Sequence, residues 1–468
     1  MSSLRNLPKH QHYAATYSRI GYFWGLGIEH ETYLATTQGR TITSFKGQMR
    51  PERYSVNYYD AYKADPLQTM LERVIDLSGS LTIPILMNSH SFTMCDVSGE
   101  HATAYSRSPT PNSNPRFSGR TLFQYLCQHS RWLAEQVGIS YTWDGDTVEF
   151  TTQKFYRATV AAVLEELQEI EARFIQELQL APPVGLLQSH GPLRLVAPVN
   201  EPWATYLTNP SNISMFNNGT IHINVTLPTQ LGFDRLPLWP ADFLEKHRRL
   251  ARLVQWLEPL WIAVHGSPDP FAALSDRYAA GSQRLAVSRY IGLGTFDTEV
   301  MPNGKILQVP RSSVTAPWYD RLYAATDYTE RTEIGLDINY NKHWAHGLEL
   351  RFLDQLPLPT LRNLLDQIVV LMDIAMGPMT ISDPRPSPVW QEMAYEALHH
   401  GPSWILPPIQ LGALASAFGI LEDQKEPQTP SSTLDWIFNR LEDRKGYCWS
   451  RMVEPANGSS LCCCLPFF

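Results

Sequence analysis

Several features that mark membrane, disulfide-rich or nucleic-acid-binding proteins are missing or scarce in this sequence of 468 residues. It has only 6 cysteines, and its longest apolar runs, such as residues 368–372, are far shorter than the roughly 20 residues that span a bilayer. Residues 1–22 lack the apolar core of a secretory signal. Charged residues make up 18% of the chain, too few for a disordered or coiled-coil protein, and the net charge of −8 does not attract nucleic acid or anionic membranes. We therefore expect a folded cytoplasmic protein without nucleic-acid or membrane partners.

The order of the predicted elements indicates an α+β fold. Apolar residues at helical spacing predict long helices from Val160 and after Pro240. A helix over 121–137 and a single strand over 141–152 are also predicted. Since the strands do not alternate regularly with helices, we expect an antiparallel sheet with a concave catalytic face and with helices packed on its other face.

Composition suggests a division into two parts. Residues 1–385 carry the strand signals and form the predicted catalytic domain. Residues 386–468 are read as a helical extension that ends in a disordered tail with three adjacent cysteines, Cys462, Cys463 and Cys464. Residues 106–120 are rich in Ser, Pro and Asn, and their length is compatible with a mobile flap or with a plain surface loop.

Four predicted strands carry chemically active side chains where a surface strand would have neutral polar residues. Alternate residues of a strand point to one face, so positions i and i+2 lie about 7 Å apart on the same side. The residues that share this pattern are Glu29 and Glu31, His222 and Asn224, Glu349 and Arg351, and Glu149 after an Asp-Gly turn. One such strand alone is typical of a solvated sheet face. Four of them together indicate a site.

The residue types in these strands favour a metal-dependent site. Carboxylates on one face repel each other and need a cation. Hard oxygen ligands with one imidazole suit Mg²⁺ or Mn²⁺, and the nearby Arg351 is suited to a phosphate group.

At these strands the chain resembles the glutamine synthetase / glutamate–cysteine ligase superfamily and its amidoligase-like members. The resemblance is carried by Gly27–Thr32, which reads GIEHET, and by Gly347–Pro357, which reads GLELRFLDQLP. The order of the four strands is also similar, over roughly residues 22–373. The resemblance implies a glutamine synthetase-like catalytic domain that uses ATP and Mg²⁺ to join a small-molecule carboxylate, of an amino acid, to an amine.

The resemblance also implies roles for single residues. Glu31 and Glu149 would hold the metal nearer the substrate carboxylate. Glu29, His222 and Glu349 would hold the metal on the nucleotide phosphates, and Arg351 would contact the transferred γ-phosphoryl group. Glu31, Glu349 and Arg351 are thus the expected catalytic residues. Asn224, in the cofactor-binding set, departs from the family, where a second histidine often stands, and Gly347 replaces a common arginine.

Substrate recognition and alternative functions are less constrained. Arg289 and Arg311 are candidate clamps for the substrate carboxylate, although each is also compatible with a structural ion pair. The same residues would serve a small-molecule phosphotransferase, a metal-dependent hydrolase or a binding protein that has lost turnover. The oligomeric state is open.

Overall fold

The structure, a computed structural model, describes residues 23–44, 55–56, 62–87, 121–144, 147–155, 159–196, 204–206, 213–215, 219–230, 232, 237–287, 309–334, 338–340, 347–421 and 426–442. Arg289, the 106–120 segment and the Cys462–Cys464 tail lie outside the described residues.

The strands of the described chain are numbered in chain order. They are β1 Phe23–Thr32, β2 Leu34–Thr36, β3 Arg40–Ile42, β4 Ser55–Val56, β5 Leu81–Ile83, β6 Ile85–Met87, β7 Tyr141–Asp144, β8 Thr147–Thr151, β9 Leu193–Leu195, β10 Ala204–Tyr206, β11 Ile213–Met215, β12 Thr220–Thr229, β13 Val309–Pro310, β14 Glu333–Ile334, β15 Ile338–Tyr340 and β16 Leu348–Asp354.

The α-helices are numbered in the same way. They are α1 Ala64–Ser78, α2 Leu122–His129, α3 Arg131–Gln136, α4 Val160–Leu178, α5 Leu186–His190, α6 Pro240–His265, α7 Gln283–Val287, α8 Pro317–Ala325, α9 Leu358–Met376, α10 Pro388–His400, α11 Pro408–Ala417 and α12 Pro430–Glu442.

A six-stranded antiparallel sheet forms the centre of the fold. Its strand order is β15-β16-β12-β1-β8-β7, so the four strands with polar side chains, β16, β12, β1 and β8, are neighbours. The combination of this sheet with the helices confirms the predicted α+β class.

One face of the central sheet packs on helices through apolar side chains. Ile28 in β1 and Ile223 in β12 are almost fully buried. At the two sides of the sheet, Phe150 of β8 meets Phe174 of α4 with ring centroids 5.2 Å apart, and Phe352 of β16 stacks on Trp261 of α6. Burial of such side chains is the main stabilising contribution of this face.

A second six-stranded sheet has the order β4-β11-β10-β6-β2-β9. It is mixed, since β6 and β10 pair in parallel and so do β4 and β11. The sequence does not predict this sheet, because its strands are only two or three residues long and too short to show periodicity.

Two predicted elements are divided in the structure. The predicted 121–137 helix breaks at Ser130, whose hydroxyl oxygen accepts from Leu133 N–H at 3.1 Å and whose O–H donates to Glu177 at 2.5 Å. Ser130 therefore caps a new helix, as serine commonly does. The predicted 141–152 strand is a hairpin, β7 and β8, which brings Asp144 opposite Thr147.

The helices after residue 386 pack on the helices that cover the central sheet. Trp390 of α10 is fully buried, and its indole N–H donates to Gln255 O of α6 at 2.8 Å. The boundary at residue 385 stays a prediction.

In the part of the chain that the structure describes, no helix is both long enough and apolar enough to cross a membrane.

Candidate metal centre

The pairing of β1 with its two neighbours brings the predicted ligands together. Glu29 of β1 lies opposite His222 of β12, and Glu31 lies opposite Glu149 of β8. On the far side of β12, Asn224 is paired with Glu349 of β16. Because directly opposed residues share a face of an antiparallel sheet, these side chains converge on the face away from the helices.

This polar face is itself largely buried, which the sequence did not indicate. His222 is 1% exposed, and Asn224 and Glu349 are fully buried. The buried Phe155 ring packs on this side of β1, against Gly25 and Gly27. The short buried helix α7 is close enough for the charge of Arg284 to act on Glu31. Charges on this face are therefore removed from water and depend on one another.

We call Glu29, His222 and Glu349 the inner group. Each contributes one potential ligand atom, and these atoms lie within 4.8 Å of one another. His222 Nδ1 lies 3.6 Å from Glu29 Oε2 and 3.5 Å from Glu349 Oε1. The three side chains are between 0% and 12% exposed. The inner group thus has the size and the ligand types of a buried cation site.

We call Glu31, Asp144 and Glu149 the outer group. Their potential ligand atoms also lie within 4.8 Å of one another. The Glu31 side chain keeps 17% of its surface exposed, and Asp144 is exposed at the hairpin end of β7. Asp144 was not among the predicted ligands, because its place beside Glu31 depends on the pairing of β7 with β8.

The hydrogen bonds around His222 determine which ring nitrogen has a lone pair. Thr220 Oγ1 donates to Glu31 Oε2 at 2.6 Å. A hydroxyl has one proton, so the 3.0 Å contact between Thr220 Oγ1 and His222 Nε2 is donated by the ring. Neutral His222 therefore presents its Nδ1 lone pair to the inner group. This is the arrangement of a metal-binding histidine held by its other nitrogen.

Arg351 lies within the inner group. Its Nη1 donates to His222 Nδ1 and to Glu349 Oε1, both at 3.2 Å. A bulge in β16, with two residues opposite His222, accompanies this placement. The guanidinium partly neutralises the negative charge of the inner group, as a metal ion bound at the same position would.

Burial and charge shift the protonation of the outer group. The pKa of Glu31 is raised above its ordinary value, first by removal from water and then by the neighbouring Asp144 carboxylate. Arg351, the Thr220 hydrogen bond and Arg284 act in the opposite direction. The net shift shows that the Glu31 charge is under-compensated, and a bound cation would correct this.

Arg284 is a residue that sequence reasoning missed. It lies in α7, is 4% exposed, and its charge lowers the pKa of Glu31. A five-residue helix within a long irregular stretch gives no periodic signal, so only the tertiary fold reveals this second cation near the carboxylates.

Arg311, a predicted substrate clamp, lies in a different environment. Its guanidinium donates to Val314 O and to Asp320 Oδ1, and it stacks over the Tyr319 ring at 4.6 Å. These contacts support the start of α8. Among the described residues no contact joins Arg311 to either ligand group, so the structure does not bring it to the site.

Beyond Glu29 and His222, the next residues on this face of β1 and β12 are the uncharged Gly27 and Asn224, and Glu349 pairs with Asn224 from the other side. Asn224 is fully buried, and neither its amide oxygen nor its nitrogen has a hydrogen-bond partner among the described residues. The Phe155 ring lies against Gly25 and Gly27, where added Cβ atoms would come within 2.0 Å and 2.7 Å of it. Only glycine permits this approach. The face therefore changes from carboxylates to an amide and then to an aromatic ring.

Gly347, which departs from the arginine of the resembled family, has a backbone reason to be glycine. Its φ is 96°, and a Cβ there would lie 2.1 Å from Val225 O. A side chain would therefore separate the start of β16 from β12 and displace the residues that follow.

Comparison with known proteins identifies a homologue, but the name of that homologue states no activity. No family model matches the chain. The chain is 34% identical over 426 residues to "Uncharacterized protein R704" of Acanthamoeba polyphaga mimivirus, a match that covers 89% of this chain and 74% of that protein. The chain belongs to the family of this viral protein. The name of the relative carries no function, so function has to be argued from the site.

Proposed function

We propose that this protein is an ATP- and Mg²⁺-dependent carboxylate–amine ligase that forms an amide bond on an amino-acid carboxylate through an acyl phosphate. The observation that carries the proposal is a pair of three-ligand groups that meet at one histidine. His222 Nδ1 faces the inner group, and His222 Nε2 lies 3.8 Å from Glu31 Oε1 of the outer group.

The donor set of both groups fits magnesium or manganese. Five of the six ligands are carboxylates, and the sixth is an imidazole with its Nδ1 lone pair directed inward. Such oxygen-rich sets favour hard cations. When bound, two such ions would supply positive charge that compensates the charge of the transferred phosphate. The under-compensated charge of Glu31 supports a cation in the outer group.

The polarity of the sheet face supports a nucleotide as the second ligand. Its carboxylate end suits metal-bound phosphates. At the other end, the orphan amide of Asn224 offers a donor and an acceptor, and Phe155 offers a ring beside Gly25 and Gly27. An amide can pair with the edge of an adenine, and an aromatic ring can stack on its face. ATP would thus lie along β1 and β12.

The two arginines supply fixed positive charge where phosphate would be transferred. Arg351 contacts the inner group directly, and Arg284 acts on Glu31 of the outer group. A guanidinium presents paired donors to the equatorial oxygens of a phosphoryl group. We assign Arg351 to the γ-phosphoryl group and Arg284 to the substrate side of the site.

The ligase assignment, rather than simple hydrolysis, also draws on the resemblance to glutamine synthetase. The Glu-x-Glu, His and Glu-x-Arg strands are neighbours in the central sheet, which is compatible with the arrangement that the resemblance implies. A carboxylate reacts poorly with amines because oxide is a poor leaving group. Phosphorylation converts it to an acyl phosphate, and an attacking amine then releases phosphate.

Release of ADP tests the proposal. Purified protein with ATP and Mg²⁺ is incubated with a panel of amino acids and amines, and products are identified by mass spectrometry. We expect ADP release that needs both an acid and an amine, together with a product whose mass equals their sum minus water. Glu349→Gln serves as the matched inactive control.

The alternatives give different results in the same experiment. A phosphotransferase would accumulate a phosphorylated product without amine. A hydrolase would cleave a substrate of the panel without ATP. A binding protein would be stabilised by Mg²⁺ and ATP without releasing ADP. Any of these three outcomes would overturn the ligase assignment.

A further inference from the structure

A cavity lies between α8, α10 and the turn before α10. Its volume is about 560 Å³, within the range of small-molecule sites. The residues that line it are Thr315, Pro317, Trp318, Arg321, Asp383, Arg385, Pro386, Pro388, Gln391 and Glu392. None of them belongs to the candidate metal centre.

Two ion pairs supply charge of both signs to this cavity. Arg385 makes two contacts with Asp383, Nη2 to Oδ2 at 2.5 Å and Nε to Oδ1 at 3.1 Å. Arg321 pairs with Glu392 and lies over the Tyr395 ring at 3.6 Å. All four charged side chains of these pairs are at least 19% exposed, so a ligand can reach them.

Each pair joins one arginine to one carboxylate, so the two pairs carry no net charge. This disfavours a strongly anionic ligand such as a nucleotide. A ligand with one carboxylate and one ammonium group would instead complete an alternating arrangement, with its carboxylate beside a guanidinium and its ammonium beside Asp383 or Glu392. Opposite charges on a small molecule are therefore matched by the opposite charges of the walls.

Much of the remaining wall of the cavity is apolar. Trp318 is 2% exposed, and its indole Nε1–H has no hydrogen-bond partner among the described residues. This N–H is itself inaccessible to solvent, so only the rest of the indole faces the cavity. The indole, Pro317, Pro386 and Pro388 provide apolar surface for the rest of the ligand.

We propose that this cavity binds a zwitterionic amino acid or dipeptide, separately from the candidate metal centre. The ligand carboxylate accepts from Arg385 or Arg321. The ligand ammonium donates to the facing carboxylates, and its side chain packs on the prolines.

The cavity is connected to the candidate site through α8, so the bound amino acid would be regulatory. Tyr323 of α8 donates through its hydroxyl to Ala286 O of α7 at 2.6 Å. Arg284 lies in the same short helix. A ligand that shifts α8 therefore acts on the helix that holds Arg284, a step that rests on the proposed function.

Binding is tested by calorimetry with free amino acids and dipeptides on the full chain. We expect binding by the wild type that is roughly 10- to 100-fold weaker in Arg385→Ala, from the loss of a charged hydrogen bond. The filling variant Thr315→Trp adds bulk at an exposed wall position without removing a hydrogen bond shown for Thr315, and it should also abolish binding. N-acetyl and C-amide derivatives, each lacking one charge, should not bind.

Three results would overturn the proposal. One is the absence of heat with every amino acid and dipeptide at 10 mM, a concentration chosen to detect affinities down to about 1 mM. The second is binding that is unchanged in both Arg385→Ala and Thr315→Trp. The third is equal binding of the blocked derivatives. Glu349→Gln should retain this binding, so a failure of the ligase assignment leaves the cavity test intact.

Discussion

The inner and outer ligand groups differ in how their negative charge is balanced. The inner group has two carboxylates, and Arg351 Nη1 lies 3.2 Å from both Glu349 Oε1 and His222 Nδ1. The outer group has three carboxylates, and the raised pKa of Glu31 shows that its charge is under-compensated. The inner group therefore has a guanidinium at hydrogen-bond distance, whereas in the outer group burial and Asp144 outweigh the effects of Arg351, Thr220 and Arg284 on Glu31.

This difference indicates an order of binding. A free divalent ion should enter the outer group first, where it relieves repulsion. An ion in the inner group has to compete with the Arg351 guanidinium, so it should bind tightly only with phosphate oxygens that draw the guanidinium away. The inner group would then bind its metal ion only together with the nucleotide, and the outer group would bind its ion before the nucleotide arrives.

The largest effect is expected from the inner group. Glu349→Gln keeps the shape of the side chain but removes a charge that a metal on transferring phosphate needs, so ATP turnover should fall on the order of 10³-fold. ADP release measures it. Leu350→Ala, on the opposite face of the same strand, is the control. It should cost about 2–5 kcal/mol of stability while the folded fraction keeps its turnover. Equal turnover in Glu349→Gln and wild type would contradict the metal role.

The second largest effect is expected for Arg351→Lys, which keeps the positive charge but loses the paired N–H donors of the guanidinium. ATP should still bind, while kcat falls on the order of 10²-fold or more. Calorimetry with ATP and Mg²⁺ gives the binding, and initial rates give kcat. If the variant instead melts earlier and keeps its specific activity per folded molecule, Arg351 only supports the sheet.

The order of metal binding can be tested without catalysis. In calorimetry with Mn²⁺ and no nucleotide, Glu149→Gln should weaken binding by about 10- to 100-fold or more, since it removes an outer ligand. Glu349→Gln should change it little. Addition of a non-hydrolysable ATP analogue should reveal a second Mn²⁺ in the wild type that Glu349→Gln lacks. The reverse pattern would place the first ion in the inner group.

Strand alternation explains why much of this site was predictable from the sequence. Glu29 and Glu31 had to share a face once β1 was a strand, and the same holds for Glu349 and Arg351. That the four strands would be neighbours followed only from the resemblance. Their register, which puts Glu31 opposite Glu149, is a tertiary property that the structure supplies.

The missed residues depend on contacts between segments distant in sequence. Asp144 joins the outer group only because residues 141–151 form a hairpin. Arg284 acts on Glu31 across more than 250 residues of chain. The burial of the polar face was missed for the same reason, because a pattern within one strand does not show what covers it.

The smallest expected effect is on stability, and it isolates the under-compensated charge of the outer group. A carboxyl group whose pKa is raised by folding destabilises the folded state once it ionises, so the penalty is absent at low pH and is fully present above the raised pKa. Without divalent metal, Glu31→Gln should therefore raise Tm by about 1–3 °C at pH 7.5 and leave it unchanged near pH 4. Mg²⁺ should stabilise the wild type and not the variant. Glu135→Gln, which removes an exposed glutamate paired with Arg131, is the matched control and should not raise Tm. A lower Tm for Glu31→Gln at neutral pH would mean that Arg284, Arg351 and Thr220 already balance the Glu31 charge, and the contrast between the two groups would then be lost.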